Sequence, residues 1–191
     1  MALADKNTNP VLQLVEPYLP LEEDKKYPPK LLLFNDSGWK AYYHCHPSSR
    51  LGQHHFDGEH GHFHIFVKLN TKPTSWSHLI ALAIDPLGQA LGWFSVNHWV
   101  TGEKWCNAEE LIEYIKHIKI DENMSLIEKW LLSLIVLDQD NIKETLFERD
   151  NQVNQYRLSS TDEAVKTDKS IYLLSQQTMN INEIINTNIS E

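Results

Sequence analysis

The sequence predicts an α+β fold: an antiparallel β-sheet with helices packed on one face, strands mainly in the first half and helices in the second. Three observations carry this. From His60 to Leu69 the residues alternate, Gly61, Phe63, Ile65 and Val67 facing one way and His60, His62 and His64 the other, the period of a strand with one face on the core. Residues 78–84 and 89–97 flank Asp85-Pro86-Leu87-Gly88, a hairpin signal. After residue 107 the apolar spacing changes to that of helices, the first two preceded by capping residues. Strands followed by helices is the order of an α+β architecture.

The 191 residues are read as a single domain, 1–191. Within it the sequence suggests an N-terminal arm and connector (1–30), a sheet region (31–100), a helical part (107–158) and a tail (159–191) that returns as an edge strand near Ile171–Ser175. Acidic residues outnumber basic ones, 26 to 17, with no basic stripe. That balance argues against nucleic acid and against an anionic membrane surface as partners. No apolar run approaches a membrane-spanning length, and no secretory pattern opens the chain, so a cytoplasmic location is expected. Two cysteines, Cys45 and Cys106, make no disulfide framework and are read as free thiols.

In chain order, Asn9-Pro10 reads as a cap with proline at the first helical position, opening a helix to about Tyr18. Pro20–Pro29, proline-bearing and charged, reads as connector. Trp39–His46 and His60–Leu69 read as strands. A type I turn with Gly88 in the left-handed region would pair Ile84 with Ala90 and Ala81 with Trp93. That register places Ile80, Leu82, Ile84, Phe94 and Val96 in the core, and Trp93, Ser95 and Asn97 on the opposite face, as the floor of a pocket completed by Trp99. Asn107/Glu110 and Ser125/Glu128 read as capping pairs of two helices. A third helix spans about Asp140 to Tyr156, with Ile142, Leu146, Phe147 and Val153 inward.

Histidine carries the chemistry. Seven of the ten histidines fall between His44 and His64, where even spacing would put about one. His44 and His46 share one face of a strand; His60, His62 and His64 share a face of another. Alternate positions on a strand lie about 6.5–7 Å apart, a gap two imidazoles can close around one metal. These five form the expected ligand pool for Zn or Fe(II), with Glu59 or Glu103 as a carboxylate ligand or general base and His62 as a second catalytic candidate. His54 and His55 are expected in a solvent-facing loop, and His78 and His98 on the core-facing side.

The run Tyr42-Tyr43-His44-Cys45-His46, then Gly58-Glu59-His60-Gly61-His62-Phe63-His64-Ile65-Phe66, resembles the uncharacterised bacterial family domain of unknown function 6969. So do His78-Leu79-Ile80-Ala81, Trp93-Phe94, Asn97-His98-Trp99-Val100-Thr101-Gly102-Glu103, Glu128-Lys129-Trp130-Leu131 and Arg149-Asp150, the resemblance spanning about 39–175. His98 stands where the family pattern has arginine, and Ser48–Phe56 is an insert. The resemblance implies the fold and the pocket, and no activity. His60-Gly61-His62-Phe63-His64 also resembles the motif of histidine-triad nucleotide hydrolases and transferases, in which His62 would attack phosphate; Gly61 departs from that pattern. The expectation is a metal-dependent hydrolase or oxygenase acting on a small-molecule substrate. A histidine-triad-like enzyme and a non-enzymatic metal sensor or storage protein are the alternatives.

Overall fold

The computed structural model describes residues 9–34, 38–46, 55–70, 73–157, 160–181 and 184. Residues 1–8 of the expected N-terminal arm, most of the 48–56 insert with His54, and the last residues lie outside these. Among the described residues, one sheet runs in the order β1 (Tyr27–Leu33), β2 (Trp39–His44), β3 (Gly61–Leu69), β4 (Ser75–Ile84), β5 (Ala90–Val96), β6 (Leu173–Thr178), every pair antiparallel. The helices are α1 (Pro10–Val15, continued by a 3-10 turn Glu16–Tyr18), α2 (His98–Thr101), α3 (Ala108–Lys116), α4 (Leu126–Leu137), α5 (Gln139–Arg157) and α6 (Asp162–Thr167). No described helix is long and apolar enough to cross a membrane.

Local chemistry explains most ends. Asn9 caps α1 through Val11 N, and Asn107/Glu110 and Ser125/Glu128 form reciprocal capping boxes on α3 and α4. β1 begins inside the expected connector. Pro28 and Pro29 are tolerated there because β1 is an edge strand whose proline positions need not donate to a ladder. α6 falls in a stretch too polar to show periodicity, and Phe147, expected inward, is 46% exposed. Buried Arg149 and its neighbour Asp150 join α5 to α3: Arg149 Nη2 donates to Cys106 O, and Asp150 Oδ2 accepts from Ala108 N.

The core lies between the sheet and α1, α3, α4 and α5, with Phe63, Ile65, Val67, Ile80, Leu82 and Ile84 from the strands against Val11, Leu111, Leu131, Ile135 and Leu146. The hairpin turn forms as its residues require: Gly88 has φ +78°, Gly88 N donates to Asp85 O, and Ile84 pairs with Ala90. The register beyond it does not follow. Leu91 is an extra residue on β5, so Ala83 pairs with Gly92, Leu82 with Trp93 and Ala81 with Phe94. A bulge of one residue reverses every later side chain. Trp93 therefore enters the core and donates Nε1–H to Asp138 at the end of α4, while Phe94 and Val96 turn to the opposite face beside Ala81 and Ala83.

The expected pocket floor is thus corrected. Ser95 faces α5 through Ser175, whose hydroxyl donates to Thr145 O. Asn97 caps α2 and donates Nδ2–H to Val165 O and Ile171 O; Trp99 donates Nε1–H to Ile171 O. These three side chains pin β5 and α2 to the α6–β6 segment. The same sheet explains Gly92: a Cβ there would stand 2.4 Å from Gln177 O and 2.5 Å from the Phe56 ring. Gly92→Ala should therefore destabilise the protein by about 1–3 kcal/mol, as overpacking does. Gly88→Val should cost at least as much through its left-handed backbone and the Asn9 side chain 2.6 Å from its Cβ. Urea unfolding of both variants reads this, and a Gly92→Ala midpoint equal to that of the parent would contradict the close approach.

Candidate metal centre

Pairing of β2 with β3 builds the site. Tyr42 lies opposite His64 and His44 opposite His62, all on the face turned away from α1, α3, α4 and α5, while Tyr43 and Phe63 point to the core. Side chains directly opposite on antiparallel strands have Cβ atoms about 4.5–5.5 Å apart, so the imidazoles meet. His44 Nε2 is 2.7 Å from His62 Nε2, and the His46 ring lies 4.5 Å from that of His44. One ring nitrogen from each of His44, His46 and His62 can be chosen so that all lie within 4.8 Å of one another. Two nitrogens bonded at 2.0–2.1 Å to one ion stand about 2.9 Å apart at a right angle and about 3.3 Å at a tetrahedral angle. The observed pair needs to open by only a few tenths of an ångström.

Carboxylates hold two of these rings. Glu59, its side chain 1% exposed, lies 2.6 Å from His62 Nδ1 and also accepts from the backbone N–H of His55 and Phe56. Asp24 Oδ1 lies 2.9 Å from His46 Nδ1. A carboxylate only accepts, so Nδ1 of His62 carries the proton and Nε2 keeps its lone pair, accepting from His44 Nε2–H. Carboxylate-held imidazoles are the usual outer support of a metal site.

His64 and His78 extend the cluster: His64 Nδ1 is 3.0 Å from His78 Nε2, and the His64 ring is 4.9 Å from that of His62. His78 was expected to face the core. Leu79 is an extra residue in β4, because Ile65 pairs with Ile80 but Phe66 with His78, and that bulge turns His78 onto the histidine face. His55, expected to face solvent, packs 4.1 Å from Phe94 and 5.2 Å from Tyr172, ring to ring, above His62. Nothing in the spacing of His55 or His78 signalled this, since both depend on chain outside their own segment.

Two expected site residues lie elsewhere. His60 precedes β3 and stacks on Tyr43, whose hydroxyl is 2.6 Å from its Nδ1. Glu103 forms an ion pair with Lys40. His62 is fully buried, with Nδ1 2.6 Å from Glu59 and Nε2 2.7 Å from His44.

Burial governs protonation. Loss of solvent holds His44 down to about 3, assisted by neighbouring His46, and His78 also to about 3, with Arg149 pushing the same way. Burial, then the surrounding imidazoles, holds His62 and His64 well below their ordinary value. His44, His62, His64 and His78 are therefore neutral at neutral pH, the form that ligates metals.

The architecture and this cluster define an α+β protein with a histidine-lined centre. The chain belongs to the family described as Domain of unknown function (DUF6969), whose pattern matches residues 1–179 and so extends through α1 and β1 as well. No curated protein matches the chain, and no solved structure does.

Neutral burial of these histidines has a consequence for the metal-free protein. Unfolded histidines titrate near 6.5, whereas the folded ones stay neutral to far lower pH. Below 6.5 the unfolded chain binds more protons, so stability is intact above that pH and falls as pH drops toward 3. The slope is at most about 1.4 kcal/mol per pH unit for each histidine. Urea midpoints should decline between pH 7 and 5; a flat profile over that range would contradict neutral burial.

Proposed function

We propose that this chain is a transition-metal protein in which His44, His46 and His62 are the ligand set, and that it acts as an enzyme on a small molecule. The observation that carries the reading is the convergence of three histidine nitrogens, two of the rings being held at Nδ1 by Asp24 and Glu59. Three imidazoles suit Zn or Fe(II) and leave coordination positions for water and substrate. A bound ion would supply Lewis-acid activation of water or, as iron, of dioxygen. Glu59 positions His62 and Asp24 positions His46, a role distinct from the general base expected of Glu59.

His64 supports the same centre. It is 1% exposed, and its Nε2 is buried with no hydrogen-bond partner among the described residues, while His78 holds Nδ1. An unsatisfied buried nitrogen costs about 1–3 kcal/mol, which an added ion or its bound water would offset. His64 is thus a further donor to the centre. A sensor or storage protein would use the same ligands and differ in showing no turnover.

The test is elemental analysis of tag-free protein after reconstitution with Zn or Fe(II). About one equivalent per chain is expected, with near-zero metal in the His44→Ala, His62→Ala variant. Glu59→Gln should keep the ligands but weaken affinity about 10–100-fold, as loss of such a support does. Equal, near-zero metal in parent and double variant would sink the proposal.

A further inference from the structure

Beside the histidine cluster lies a cavity of about 690 Å³, within the size range of small-molecule sites. It opens between α1, the loop that follows it, the end of β2 and the Asp85–Gly88 turn, and Asn9 fixes one wall by donating Nδ2–H to Gly88 O. Val11, Leu12 and Val15 give it an apolar side. Leu12 and Leu19 are 43% and 61% exposed, apolar surface on a wall that no other described residue covers. The charged groups are Glu16, Glu23 and Asp85, and no Lys or Arg lines the space among the described residues. His46 belongs both to this wall and to the three-histidine group, so a molecule held here sits against a proposed metal ligand.

We propose that the cavity binds a small organic amine, its apolar body on the α1 wall and its cationic head among Glu16, Glu23 and Asp85. That the bound amine is the substrate of the centre rests on the metal reading above; the binding itself does not. Carboxylates without a compensating cation favour a positive guest and repel a carboxylate of the same shape.

Calorimetric titration of the full chain with 2-phenylethylamine and with 3-phenylpropionate tests this. The amine should bind at least tenfold more tightly than the acid. Leu12→Arg, at a half-exposed position on α1, should weaken the amine at least tenfold with metal content unchanged. Glu16→Lys together with Glu23→Lys, both exposed, should reverse the preference toward the acid. Absence of amine binding, equal affinity for the two probes, or an unaltered preference in the double lysine variant would overturn the proposal. The His44→Ala, His62→Ala protein separates the two readings: amine binding retained without metal leaves the cavity standing if the centre fails, and metal retained without amine binding in the parent removes the cavity alone.

Discussion

The cross-strand register of β2 against β3 is the constraint on which the site rests. With His44 opposite His62 and Tyr42 opposite His64, every second residue of both strands faces away from the main core, and the residues between them fill it. Side-chain direction alternates along a strand, so the two sets cannot be moved independently. A slip of one residue would put imidazoles among Leu111, Leu131 and Leu146 and expose Phe63 and Ile65. The apolar face thereby fixes the histidine face: burial of one set enforces the meeting of the other.

Meeting in that way is costly without chemistry to compensate it. Imidazoles 4.4–5.1 Å apart from ring to ring, as His44, His62 and His64 are, would repel if protonated, and burial denies them the water that would screen the charge. The structure resolves this by neutrality, by carboxylates on His46 and His62, and by pairing His64 with His78. Each device also serves ligation, since a neutral ring held at Nδ1 offers Nε2. Polar groups of this kind contribute little to folding that well-packed apolar side chains could not, which is why their concentration on one face points to function.

Bulges decide what surrounds the cluster. Leu79 in β4 and Leu91 in β5 are each one residue too many for their partners. The first brings His78 to the site, and the second removes Trp93 to the core and supplies Phe94, whose ring lies 5.0 Å from that of His62. A third, at Leu174, lets Ser175 meet Ser95 while Leu173 joins the opposite face. None has a local mark in the sequence as plain as Gly88 in its turn, because a bulge relieves mismatch between two strands and belongs to neither alone.

The sequence by itself determined the fold class, the caps of α1, α3 and α4, the hairpin turn and the grouping of His44 and His46 on one strand and His62 and His64 on the next. All are short-range: a cap acts within three residues, a turn within four, and strand alternation has a period of two. It also carried the family, through the motif around His60 to Phe66. Only the tertiary structure decided that His60 belongs with Tyr43, that Glu103 pairs with Lys40, that Asp24 reaches His46, and that His55 and His78 join the site while Trp93, Ser95 and Asn97 leave it. Those outcomes depend on where a loop crosses a strand and where a ladder gains a residue, and both are set by packing between segments far apart in the chain.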